Sequence, residues 1–321
     1  MAMALLEVIA MIRFRRETSW LFLLAVACAG AGGAIAQTTV IAPVQHKDFD
    51  SPEGWAMKYF TSATILSGLQ PPEPPGEYRR VGLVTLGLEF GWLPTLSPQR
   101  AQVGFSGRKQ EDLNKAPMMA RPSVRVGLPW RLTALASITP PIPAYGITPR
   151  LFAFGLERPI VERSQWTLGW RASGQVGSVK AAFTCPQRAL GFPAGSPENP
   201  SGCVAPSADV ASLRYAGTEA QLAYRIPKTP KLSPHLAAGV NFIDSAFQVN
   251  AQLATRLDHT RLWTRGTTYT GTAGVSYLFT NRIALTVDAF YTPLLVRRET
   301  AGPRTNDGLF NVRALLSYSF R

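Results

Sequence analysis

From residue 78 to the end of the chain, apolar and polar side chains alternate in segments of about ten residues separated by turn formers. The last segment is the clearest. Phe310, Val312, Ala314, Leu316, Tyr318 and Phe320 fall on one face, and Asn311, Arg313, Ser317 and Ser319 on the other, with Leu315 the exception. A strand points successive side chains to opposite faces, so this pattern predicts a strand with one greasy and one polar side. The same alternation runs through 283–292, 268–279, 235–242, 219–225 and 166–176. It is weaker near 80–92, 121–128, 131–139 and 149–157. Together these segments predict about ten strands, within a range of about eight to twelve.

The links between segments alternate in length. Long or medium links at 93–120, 140–148, 184–208, 250–262 and 295–306 alternate with short ones at 128–130, 158–163, 227–230 and 280–281. Outer-membrane barrels have short turns on the periplasmic side and longer loops outside. No window after residue 36 holds about 20 consecutive apolar residues, the length a spanning helix requires. Lipid offers no hydrogen-bond partner, so a spanning sheet must close on itself. The predicted fold is all-β: an antiparallel, up-and-down transmembrane β-barrel.

The first 36 residues read differently. Arg13, Arg15 and Arg16 precede an apolar run over 20–27, and Ala34-Ile35-Ala36 resembles a cleavage site, so 1–36 is expected to be a secretory signal peptide. Residues 37–77 lie outside the repeat. Pro71, Pro72, Pro74 and Pro75 cannot join a ladder, whereas 55–69 suits a short helix or a strand, with Pro52 and Glu53 at a helix-start position. This segment is expected to be a periplasmic extension or a plug in the barrel mouth, with the barrel itself over 78–321.

Composition agrees with an exported, strand-rich chain. Only 17% of residues are charged, below the usual quarter, and Gly (27) and Pro (26) are plentiful. After the expected cleavage two cysteines remain, Cys185 and Cys203, in a loop full of turn residues. An even count in an oxidising compartment predicts a disulfide between them. The net charge of +13 would suit nucleic acid in a cytoplasmic protein, but export removes that partner.

The ending Leu315-Leu316-Ser317-Tyr318-Ser319-Phe320-Arg321 resembles the terminal strand of bacterial outer-membrane β-barrels, departing from the usual aromatic last residue by the added Arg321. The resemblance implies a porin-like barrel embedded in outer-membrane lipid. It also implies recognition of the last strand by the barrel-assembly machinery.

Glu89, Arg125, Arg131, Arg171, Glu219, Arg225, Asp288 and Arg313 fall on the expected lumen face. A barrel of ten strands is narrow, so these charges must be paired or hydrated. They suggest either an internal ion-pair network or a path for small, anionic solutes lined by excess arginine. Arg100, Arg108, Lys109, Lys115 and Arg121 in the first long loop, with Arg297, Arg298 and Arg304, suggest contact with lipopolysaccharide phosphates. Catalysis is not expected. The omptin proteases pair an Asp-His with two further Asp at the outer rim, and only Asp258-His259, with Asp244, comes near that pattern. No cofactor motif or clustered metal-ligand set stands out. The expected function is a narrow channel or transporter for small or apolar solutes, with a non-conducting structural or adhesive barrel as the alternative.

Overall fold

The computed structural model describes residues 44–66, 81–299 and 302–320. The expected signal peptide, and the proline-rich part of 37–77, lie outside the described residues.

Among the described residues, ten antiparallel strands close into a barrel. They are β1 (Val84–Trp92), β2 (Met118–Gly127), β3 (Thr133–Thr139), β4 (Ile147–Glu162) and β5 (Trp166–Ala181). Then come β6 (Tyr215–Tyr224), β7 (Leu232–Gln248), β8 (Arg261–Leu278), β9 (Ile283–Thr292) and β10 (Leu309–Phe320). Each pairs with its sequence neighbours, and the seam closes where β10 meets β1, from Arg313↔Gly91 to Phe320↔Val84. No sheet edge is left along that seam, which is what hydrocarbon demands.

The alternation places side chains as the sequence pattern implies. Phe90, Phe152, Phe154, Tyr269 and Phe310 point outward and are 44–64% exposed. Between them the polar residues Thr85, Glu89, Arg171, Thr268, Asp288 and Arg313 are buried in the interior. Aromatic pairs mark the periplasmic end: Trp166 with Tyr224 at 4.4 Å, Tyr277 with Phe279 at 5.0 Å, and Tyr318 with Phe320 at 4.9 Å. Amphipathic rings suit that boundary.

At the opposite end the wall rises above the membrane. β5, β7 and β8 have 16, 17 and 18 residues, where about 9–11 suffice to span. A short strand, Asp209–Ser212, fills in between β5 and β7. Cys185 and Cys203 form a disulfide in the loop that precedes it, with Cα atoms 5.6 Å apart.

The N-terminal segment belongs to the barrel interior. Val44–His46 pairs in parallel with Arg261–Trp263 at the outer end of β8. After it comes helix α1, Pro52–Ala63, in which every residue but Phe60 is buried. Helix, rather than strand, is the outcome for the start of the ambiguous 55–69 stretch. Its start is well built: Ser51 accepts from the Gly54 N–H at 3.1 Å, Pro52 sits at the first helical position, and Glu53 lies in the first turn.

Candidate functional site: the lumen and its helix

Helix α1 is held at both ends by groups from the wall and the loops. Its N-terminal end meets the outer loops. Glu53 accepts from the Ser106 N–H at 2.7 Å and from Lys47 Nζ at 3.3 Å. Trp55 Nε1 donates to the Asp307 carbonyl at 3.1 Å, and Lys58 Nζ pairs with Asp50 at 2.9 Å.

The C-terminal end is buried deeper, where the last carbonyls of a helix have no intrahelical partner and carry partial negative charge. Two arginines meet them. Arg121 donates to the Thr64 carbonyl at 2.8 Å. Arg313 donates to the carbonyls of Ile65 at 2.5 Å and Ala63 at 3.4 Å. Gln175 Nε2 reaches Thr64 Oγ1 at 2.7 Å, and the Leu66 N–H donates to the Tyr215 hydroxyl at 2.9 Å. Four strands thus converge on four consecutive residues.

The remaining lumen charges form pairs. Glu89 accepts from both Nε and Nη2 of Arg121. Arg125 pairs with Glu157, which also accepts from Arg171 at 2.9 Å, and Arg171 Nη1 donates to Glu219 at 2.9 Å. His235 Nε2 lies 2.7 Å from Asp288 Oδ1. Arg313 completes its contacts with Asn311 at 3.0 Å and the Phe290 ring at 3.9 Å.

Several placements differ from expectation. Arg131 sits outside the lumen in the β2–β3 turn, with its side chain 55% exposed and paired with Glu162. The Pro129-led turn puts Arg131 at φ 61°, which ends the alternation before the strand begins. Arg225 lies just past β6, half-buried, its N–H on the Gln165 carbonyl at 2.7 Å. Arg121, expected in the outer loop, is instead 1% exposed on β2 inside the lumen. Sequence reasoning missed it because β2 begins earlier than the pattern indicated and Pro122 interrupts the alternation; its spacing of four from Arg125 was the available signal.

Most of the loop cations expected to meet phosphate have carboxylate partners within the protein. Arg298 pairs with Asp307, Arg304 with Asp50 at 3.0 Å, Lys115 with Asp112 at 2.6 Å, and Lys109 with Glu111 at 3.1 Å. Burial pushes the Glu111 carboxyl up to about 7, against the opposing pull of Lys109. At the outer rim Asp258 accepts from Thr260, while His259 Nδ1 faces Asn250 Oδ1 at 3.1 Å, so the adjacent Asp and His do not pair with each other.

Two cavities flank α1. One of about 540 Å³ opens among the outer loops, lined by Met57, Val103, Phe247 and Leu257 with Lys47, Glu111 and His259 at its margin. The other, of about 630 Å³, lies on the β2–β3 side against Tyr59, Ala63, Leu151 and Val179. Phe60, Leu113, Phe183, Ala211 and Leu213 line both. Their volumes fall in the range that holds a small organic molecule.

The closed ladder, the greasy exterior and the polar interior decide what the molecule is. It is a transmembrane β-barrel. No protein-family model matches the sequence, and no curated protein matches it. Among solved structures, the attachment invasion locus protein of Yersinia pestis is 10% identical over 75% of this chain and 100% of its own, with a TM-score of 0.30. The outer membrane protease OmpT of Escherichia coli is 10% identical over 74% and 94%, with a TM-score of 0.37. Neisserial surface protein A is 9% identical over 74% and 96%, with a TM-score of 0.28.

Proposed function

We propose that this barrel sits in the outer membrane and carries small apolar solutes, with helix α1 as the plug of its lumen. The observation that supports this is the combination of a bore occupied by α1 and apolar cavities flanking that helix. A water-filled pore needs an open, hydrated path. Here Arg121, Arg171 and Arg313 are engaged by carboxylates and helix carbonyls, which argues against a path built on free arginine. Burying an apolar solute against Phe60, Phe183 and Leu213 gains about 25 cal/mol per Å² of apolar surface removed from water.

In the same reading, residues 1–36 are a cleaved export signal, 37–77 contain the plug, and 78–321 form the membrane domain. Lipid surrounds the outward faces of the strands, and the last strand serves the assembly machinery.

Two assays test the proposal. In planar bilayers the purified barrel gives no sustained ion conductance. In liposomes it raises uptake of the apolar dye N-phenylnaphthylamine in a saturable way. Sustained large conductance overturns the plugged-barrel reading. Dye uptake no faster than through protein-free liposomes leaves the adhesive or structural barrel in its place.

A further inference from the structure

Among the described residues, the barrel wall is incomplete between β2 and β3. Their pairing runs from Gly127↔Thr133 to Ser123↔Ser137 and stops there. Above that point Met118 to Pro122 still pair with β1, while Ile138 and Thr139 still pair with β4. The two facing edges do not pair with each other. Pro122 stands where the ladder would continue, and it has no N–H to give. On the other side β3 runs into Pro140, Pro141 and Pro143, which again supply no donors, and the Ile142 N–H turns back to the Pro140 carbonyl at 2.8 Å. At roughly 3.4 Å per residue, the unpaired stretch of β2 is about 15 Å tall.

The 630 Å³ cavity passes through this slot. Its lining includes Leu88 and Met118, 40% and 51% exposed on the outer face of the wall, and Ile142, 65% exposed in the loop after β3. It also includes Leu151 and Leu213, which are 4% and 2% exposed in the interior. One cavity therefore touches both the lipid side and the lumen side. The slot is at the outer end of the strands, beside Phe90 and Trp92, both of which face outward. Unpaired backbone at that depth is tolerated only where it borders a cavity or is covered by protein.

We infer that the gap between β2 and β3 is a lateral port, through which a small neutral hydrocarbon-like molecule moves between the interior cavity and the outer leaflet. The inference rests on the apolar-solute reading and supplies its route: from the outer cavity, past Phe60 and Phe183, through the slot into lipid. The lining is mainly apolar, with Asn114 and Lys115 among its few polar members, and α1 blocks the way down the bore.

The test uses a photoprobe confined to the bilayer, 3-trifluoromethyl-3-phenyldiazirine, with the full-length barrel in phosphatidylcholine vesicles and peptide mass spectrometry as readout. The port requires that Leu151 and Leu213 be labelled from the lipid, while Ile243, 0% exposed in the core around α1, is not. Ala120→Trp with Ala144→Trp adds bulk at two exposed lining positions. In that variant, interior labelling falls at least about fivefold, in line with the loss of a preformed cavity mouth, and labelling of outward-facing Phe310 is unchanged. Pro122→Thr with Pro140→Thr, which restores two donors, produces the same loss by closing the ladder. Interior residues left unlabelled in the wild type, or labelled equally in both variants, overturn the port. Failure of dye uptake in liposomes overturns the transport reading instead, so the two fail separately.

Discussion

The Arg313 guanidinium, on the strand that closes the barrel, donates to the Ile65 carbonyl at 2.5 Å across 248 positions of sequence. The same guanidinium reaches Ala63, so one side chain ties the final strand to the end of the lumenal helix.

Arg313→Ala removes that tie and leaves Glu89 its bidentate partner Arg121. A hydrogen bond to a charged group contributes about 1.5–3 kcal/mol, so the ratio of seated to unseated helix falls by roughly 10- to 100-fold. Brief conductance events should appear in single-channel recordings where the wild type is silent. Arg121→Ala does more damage, because it also strands the buried Glu89, a loss of about 3–5 kcal/mol. An Arg313→Ala barrel as silent as the wild type removes the latch role.

Gly54→Ala should loosen the same helix from its other end. Alanine normally favours a helix by about 1 kcal/mol over glycine. Here the added Cβ collides with the Asp48 carbonyl oxygen, which is backbone and cannot swing aside. The steric term wins, and limited proteolysis of the N-terminal segment should speed up several-fold relative to wild type. Unchanged or slower cleavage shows that the turn before α1 can move.

Replacing Cys185 and Cys203 together by Ser opens the 18-residue staple. Chain entropy puts the loss at about 3 kcal/mol, confined to the outer loop. Cleavage within 186–202 should rise sharply. The heat-dependent shift of the barrel on gels should stay where it was, since the lumen ion pairs and the β10–β1 seam lie outside the stapled loop. A lowered transition temperature for the whole barrel contradicts this.

The Glu111 carboxyl gives the first outer loop a pH dependence of definite sign. Its folded pKa, about 7, lies above the unfolded value near 4.5, so the folded state binds the extra proton between those limits. Loop stability contributed by Glu111 is therefore largest at low pH and declines as pH rises from about 4.5 to 7, by at most about tenfold per pH unit. Tryptic cleavage after Arg108, normalised to Glu111→Gln at each pH, should accelerate over that window. A flat ratio refutes the assignment.

The wall was largely legible in the sequence because a strand's two faces see different solvents, and that difference is written at every second residue from Phe310 to Phe320. Loop phase was legible for the same reason, since turn residues cluster where pairing ends. The helix was only half legible. Buried on nearly every side, it shows no apolar stripe, so its start carried the signal in Pro52 and Glu53. Its anchoring was not legible at all, because Arg121 and Arg313 bind backbone carbonyls, which every residue possesses. The slot leaves its trace in Pro122, Pro140, Pro141 and Pro143, but a missing pairing can be seen only against pairings that are present.

The chain enters the barrel at the outer end of β8, where Val44 lies opposite Arg261, and starts β1 at Val84, the residue that faces Phe320 at the other end of the seam. Between those points, the described helix α1 lies buried inside the bore. This constrains the order of assembly. If β10 docked on β1 first, the helix would have to be drawn lengthwise into a finished ring. Laying α1 into an open, curling sheet avoids that, with Arg313 arriving last to meet it. Refolding should then slow when the seam forms early, making the lumenal segment a kinetic guide for its own enclosure.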